Sequence, residues 1–236
     1  MKKTIKSEGY LVVKDVLDET DIKQAMDLFT KHDNTEIVGG FDFESTHSPF
    51  SNYVRSHPNI VKQFADFWGT DDLLPSLDSP IVWHDGPPVI EGLHVDQNPY
   101  WKRGFKCLQG MVHLSTTDVG GLQIVPRTNT VGVQNKLVRL YPYIKKTKDD
   151  WLELADNPSR RVAVKIPCVA GDMVFWDSRS VHGAYIGDAG DERPRISFPI
   201  CMMPRAMVSE EVLKKREEAI RKGITLTHWV NKAELH

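Results

Sequence analysis

From about residue 80 onward the chain reads as one short β-rich run after another: SPIVW, LHVDQ, KCLQGMVHLS, GGLQIVP, RRVAVKIP, GDMVFWD and RISFPICM, each broken by Gly, Pro, Asn or Asp. Most neighbouring runs have no helical period between them. Parallel strands need a long crossover and antiparallel strands do not, so the series points to an antiparallel sandwich or jelly roll rather than a parallel sheet. Ahead of it the pattern is helical. A strand-like GYLVV comes first, then Asp18 can cap a helix whose Ile22, Ala25, Met26 and Phe29 keep the 3.6-residue period. Pro58 suits the first turn of a second helix over 58–68, with Ile60, Phe64, Phe67 and Trp68 on one face and Gly69 as its stop. After the β-rich region, Ser209 opens the amphipathic SEEVLKKREEAIRKG, which Gly223 closes.

The expected fold is therefore mainly β with flanking helices (α+β), a jelly-roll core in a single domain over 1–236. N-terminal helices occupy about 1–78, the core about 79–205 and the C-terminal helix about 209–223. With 40% of its 236 residues hydrophobic, the chain can bury a sizeable core. The charged stretch LVRLYPYIKKTKDDWLELADNPS (137–159) is partly helical and is expected outside the barrel, as a surface insertion or a lid. GGFDFESTHSPF (39–50) is a second lid candidate.

Within that frame, GLHVDQNPYW (92–101) places His94 and Asp96 two apart, so both project from one face of an extended strand while Leu93 and Val95 point the other way. Composition alone yields about one His-x-Asp triplet by chance, so the pair needs company. GDMVFWDSRSVHG supplies it: a turn, a strand over Met173 to Trp176, and His182 some six residues on. If the strands meet, His94, Asp96 and His182 form the two-histidine, one-carboxylate facial set that leaves coordination positions open and is associated with Fe(II) oxygenases. In ERPRISFPI, Arg195 and Ser197 share a strand face and offer a guanidinium fork and a hydroxyl to one carboxylate. A dicarboxylic co-substrate could anchor there and chelate the metal with its near end.

These residues carry a resemblance. The run from about 80 to 205 resembles the phytanoyl-CoA dioxygenase-like branch of the iron(II)/2-oxoglutarate-dependent oxygenases, through His94-Val-Asp96-Gln97, GGLQIVPRTN, GDMVFWDSRSVHG and RPRISFPICMMPR; the opening GYLVVKDVLDETDIKQAMD is similar too. The resemblance implies a double-stranded β-helix core, Fe(II) held by His94, Asp96 and His182, 2-oxoglutarate as co-substrate, and O2. It also implies hydroxylation of a small molecule with release of succinate and CO2. The arginine holding the distal carboxylate would be Arg195 or Arg193, which have the same strand parity. Arg195 is favoured because it forms Arg-x-Ser and sits deeper in the strand. Arg127, Thr128 and Asn129 stand where the family often shows glycine, serine and histidine, and Ala184 stands where it often has a co-substrate-binding serine. Family members that halogenate replace the metal carboxylate with a small residue, so Asp96 favours hydroxylation.

Other residues have plainer readings. Gln109 alternates with Cys107 and Met111, so it faces the barrel interior beside the co-substrate or is a core amide. His113 is a core histidine or a substrate contact, and His84, adjacent to Asp85 rather than spaced from it, is a poor ligand candidate. Trp83, Tyr100, Trp101 and Trp176 are core or rim aromatics, and Lys102 and Arg103 a solvated pair or an anion contact. Three cysteines without close spacing argue against a disulfide framework and against a Cys zinc site, and for a reducing, cytoplasmic location. A formal charge of −2 with no long like-charged block gives no footprint for nucleic acid. No stretch approaches the length of a membrane span, and the N-terminal apolar run is too short for a signal. Oligomeric state leaves no sequence signal. Two alternatives remain open: a cupin-like metal enzyme, either an isomerase or a dioxygenase that works without 2-oxoglutarate, and a non-catalytic jelly-roll binder.

Overall fold

The computed structural model describes residues 1–32, 38–84, 92–154, 162–186 and 194–235. The larger of two antiparallel sheets runs in the order β1 (Tyr10–Val13), β9 (Met173–Asp177), β5 (Leu108–His113), β11 (Arg195–Pro204) and β2 (Leu73–Pro75), and β3 (Ile81–Trp83) pairs with the first residues of β11. The smaller runs β7 (Leu152–Glu153), β4 (His94–Val95), β10 (His182–Ile186), β6 (Thr117–Ile124) and β8 (Val164–Cys168). Their facing sides share a core in which Trp83, Met111, Val174 and Trp176 of the larger sheet meet Leu122, Ile124 and Ile166 of the smaller. This is the expected jelly roll with flanking helices.

The two-residue alternation decides what faces where. On β9, Val174 and Trp176 join the core between the sheets, while Met173 and Phe175 join a second core under the helices. That second core is built by α3 (Pro49–Ser56) and α4 (Pro58–Trp68), whose Phe50, Val54, Ile60 and Phe64 pack on Phe175, Phe198 and Ile200. On β11 the residues of that outer core are Ile196, Phe198, Ile200 and Met202, which leaves Arg195 and Ser197 to the inside.

The expected helices form where their caps stand. Asp18 and Asp21 close a reciprocal capping box on α2 (Glu19–Asp27), Gly69 ends α4 at φ 81°, and Ser209 caps α6 (Glu210–Lys222), which Gly223 ends at φ 69°. No described helix is long and apolar enough to cross a membrane.

Three expectations change. The extended run expected at LHVDQ is a strand only at His94–Val95, because Asp96 leaves the ladder to donate its N–H to the Ser178 carbonyl. The stretch 137–159 does not lie wholly outside the barrel. After α5 (Val131–Leu140) it returns as β7 and pairs with the His94 strand, Val95 opposite Leu152, because Ile144, Leu152 and Leu154 need the apolar cover of Leu93, Val95 and Val181; its residues 155–159 fall outside the described ones. The lid candidate 39–50 runs into a helix instead of remaining irregular to its end: Ser48 caps α3 with Pro49 at its first position.

Candidate metal centre

β10 lies antiparallel to β4 with His182 directly opposite His94, and the two rings stand 4.5 Å apart. Gly183 permits that approach: a Cβ there would lie 2.7 Å from the Gly92 carbonyl oxygen. The turn before β10 is held by Thr128, whose hydroxyl donates to the Val125 carbonyl and accepts the Val181 N–H at 2.8 Å. Arg127, in the same turn, adopts φ 65°, the left-handed conformation that glycine would take without strain.

Each imidazole is oriented by a carbonyl. His94 Nδ1 lies 2.8 Å from the Gly92 oxygen and His182 Nδ1 2.9 Å from the Ser180 oxygen. A carbonyl only accepts, so both rings donate from Nδ1 and, when neutral, present a lone pair at Nε2. Those lone pairs face Asp96: its Oδ1 is 3.5 Å from His94 Nε2 and its Oδ2 3.1 Å from His182 Nε2. All three side chains are buried, and one ligand atom from each lies within 4.8 Å of the others. Burial, with His182 beside it, pushes the His94 imidazole down to about 4 against the pull of Asp96. For Asp96 burial works upward, but the two imidazoles outweigh it and hold the carboxyl well below the usual range. With both rings neutral, three acceptor atoms converge, an arrangement that a divalent cation resolves and that fits two-histidine, one-carboxylate coordination.

Gln109, on β5, reaches across to donate its amide to Asp96 Oδ2 at 2.8 Å. It also lines the cavity of about 680 Å³ into which the triad opens. Arg195 lines the same cavity and is 1% exposed. Its guanidinium lies 4.4 Å over the Trp83 ring, Nε donates to Ser197 Oγ at 3.3 Å, and Nη2 approaches the Met111 sulfur at 3.6 Å. Trp83 reaches that position because Gly120 leaves room; a Cβ there would stand 2.3 Å from its ring. No carboxylate pairs with Arg195 among the described residues, and a buried guanidinium bonded only to weak acceptors is costly unless the cavity supplies an anion.

Ser197 is placed differently from the expected shared clamp. Its hydroxyl touches Arg195 Nε and lies 3.0 Å from His113 Nδ1, and it is not among the described residues lining the cavity. His113 stays in the core behind it, pushed down to about 3 by burial and by the charge of Arg195. His84 is half-buried near Phe29, away from the cavity lining, and Arg193 falls outside the described residues.

Part of the cavity wall carries no signal in the sequence. Asp78, between β2 and β3, is buried in the lining, its carboxyl pushed up to about 7 by burial against the opposing effects of a Ser76 hydrogen bond and Arg55. Thr227, His228 and Trp229 come from the segment after α6. Lys102, read from sequence as a solvated or anion-binding cation, instead bonds Asp150 together with Lys232, and both ammonium groups sit over the Trp229 ring, 4.8 and 4.6 Å from its centroid. THWVNK has neither helical nor strand periodicity, so nothing in the pattern marks it as cavity wall.

The family model described as Phytanoyl-CoA dioxygenase (PhyH) matches residues 5–187. "Ava biosynthesis cluster protein O" of Aspergillus versicolor is 25% identical over 213 residues, covering 78% of this chain and 65% of that protein, so the chain spans less than two thirds of that relative's length. Among solved structures, the epimerase SnoN, in complex with Fe3+, alpha ketoglutarate and nogalamycin RO, superposes with a TM-score of 0.60 at 20% identity, covering 85% of this chain and 81% of its own. HygX from Streptomyces hygroscopicus, with nickel and 2-oxoglutarate bound, gives 0.58 at 12% identity and covers 86% of both chains. These two likenesses show a common fold.

Proposed function

This chain belongs to the phytanoyl-CoA dioxygenase family, and from that premise we propose that residues 1–236 form one Fe(II)- and 2-oxoglutarate-dependent oxygenase domain that hydroxylates a small molecule. The observation that carries the reading is the meeting, in one cavity, of three converging acceptors, His94, Asp96 and His182, with a buried guanidinium, Arg195, that has no carboxylate partner among the described residues. The first group calls for a divalent cation and the second for an anion; a metal-chelating dicarboxylate such as 2-oxoglutarate satisfies both.

In this reading His94, Asp96 and His182 hold iron(II). Bound there, iron with 2-oxoglutarate and O2 supplies the oxidation of a substrate C–H bond, the co-substrate leaving as succinate and CO2. The chain's own part is geometry. The Gly92 and Ser180 carbonyls keep both imidazoles in the tautomer that turns Nε2 to the metal, and Gln109 holds Asp96 by one oxygen. Arg195, its plane fixed by Trp83 and its Nε by Ser197, takes the distal carboxylate through its remaining N–H groups. Trp176 and Trp151 line the same cavity and give the substrate an apolar surface beside the metal centre.

The test is succinate formation from 2-oxoglutarate by iron-loaded protein under air. The wild type is expected to turn over slowly without added substrate. Arg195→Ala is expected to lose about 100-fold in 2-oxoglutarate affinity while still binding Fe(II). Equal turnover in the two proteins contradicts the co-substrate assignment.

A further inference from the structure

Trp151 combines a fixed backbone with a side chain that is not buried. On one side of it Asp150 accepts the Asn98 N–H and holds Lys102 and Lys232; on the other, Leu152 is buried and pairs with Val95 in the ladder of β7 and β4. The indole between them is 43% exposed, lines the cavity and lies 5.6 Å, ring to ring, from His94. A lone exposed apolar side chain is ordinary on a protein surface. This one is held beside a metal ligand.

The polar side chains of the lining are already committed. The triad converges on one point, Gln109 donates to Asp96, and Arg195 is taken by the co-substrate in the proposed function. Asp78 Oδ2, Thr227 Oγ1, His228 Nε2 and Trp229 Nε1 are buried against protein and do not open into the space. At the described rim the charges balance, Lys102, Lys148 and Lys232 against Asp149, Asp150 and Glu234, with Asp150 and Glu234 bonded to lysine. What the cavity leaves open to a substrate is apolar: Phe41, Ile81, Leu122 and Trp176, with Trp151 itself.

Those walls select among ligands. A charged group brought against them would lose its water and find no countercharge to replace it. A flexible chain would give up rotamer freedom on entering. A planar ring has none to lose and lays its whole face on an indole, a contact that adds to the area it buries. The cavity of about 680 Å³ lies within the usual range of about 300–1,000 Å³ for ligand sites, so a ring system fits beside a small diacid. We propose that Trp151 is a substrate-positioning residue, its indole the platform on which a neutral substrate with a planar, unsaturated ring stacks beside the metal ligands. The inference rests on the oxygenase reading for the identification of this ligand as the substrate.

The test uses the 236-residue chain with 15N-labelled tryptophan, with Zn(II) and 2-oxoglutarate and, in parallel, without either, and reads the indole N–H resonances by NMR. The signal that disappears in Trp151→Phe is that of Trp151. Probes are phenol and 2-naphthol, each paired with its saturated counterpart, cyclohexanol and decahydro-2-naphthol, so that skeleton and hydroxyl are kept and planarity is not. The expected result is a saturable shift of the Trp151 signal with at least one planar probe and none with its counterpart at the same concentration. Trp151→Ala should weaken that probe about 10-fold, read from the line broadening of the probe itself, and Trp151→Phe should keep it within about 3-fold of wild type. If neither planar probe shifts Trp151, if the saturated counterparts act equally, or if Trp151→Phe binds as weakly as Trp151→Ala, the indole is wall only and the inference falls. If a planar probe stacks on Trp151 but Zn(II) and 2-oxoglutarate do not bind, the oxygenase reading falls and the ring platform stands.

Discussion

Asp96 is the residue on which the site turns, because each of its oxygens faces a different imidazole and one of them also accepts from Gln109. A carboxylate held by a neighbouring amide keeps its ligand orientation at little entropic cost. Gln109→Leu is expected to weaken Fe(II) binding about tenfold while leaving the fold intact, a change that a metal titration reads directly; unchanged affinity would reduce Gln109 to a packing residue. His113 provides a separate prediction about pH. An ordinary histidine titrates near 6.5 when unfolded, and this one is held down to about 3 by burial and Arg195. Between those values the unfolded chain binds a proton that the folded chain does not, so the contribution is complete above 6.5 and is lost as the pH falls toward 3. In urea unfolding at pH 7 and pH 4.5, wild type should lose on the order of 2 kcal/mol more than His113→Asn. Equal losses would show that His113 takes up a proton in the folded state without cost.

At the scale of elements, the site depends on two chain segments brought closer than side chains normally allow. Gly183→Ala sets a Cβ 2.7 Å from the Gly92 oxygen and must push β10 away from the segment leading into His94. Destabilisation of about 1–3 kcal/mol, together with weaker metal binding, is expected in thermal melts with and without Fe(II). Stabilisation by metal equal to that of wild type would argue that the strand spacing does not set the ligand geometry. Asp150→Ala removes the carboxylate that ties Lys102 to Lys232 and should raise amide exchange over 226–235 with little effect on β5 or β9. The sequence showed those elements whose pattern is local. Caps and stops marked α2, α4 and α6, and two-residue alternation marked β5, β9 and β11, including the inward direction of Arg195. The elements it hid are held by partners far along the chain. β7 pairs because Leu152 and Leu154 find Leu93 and Val95, some sixty residues earlier, and the Thr227–Trp229 wall is fixed by Leu77, Lys102 and Asp150. The triad was legible because its histidines lie at strand positions. For Ser197, parity gives a face and not a contact: its hydroxyl meets Arg195 and His113.

The molecule as a whole separates stability from chemistry. Its largest apolar core lies between the helices and the outer face of the larger sheet, with Phe50, Phe64, Phe175 and Phe198 at its centre. The space between the sheets is given partly to polar groups, and there the described structure brings together the triad, Arg195 and the Thr227–Trp229 segment. In the proposed function the triad and Arg195 act as one site on one ligand pair, iron(II) and 2-oxoglutarate. The decisive measurement adds Fe(II) and then 2-oxoglutarate to metal-stripped protein without oxygen, and follows the weak visible charge-transfer band of the chelated iron. The band is expected in wild type, is expected to be lost in Asp96→Ala because the metal is lost, and to be lost at the same 2-oxoglutarate concentration in Arg195→Ala although iron still binds. Iron binding in wild type without the band, or a band undiminished in Arg195→Ala, would contradict the proposed function.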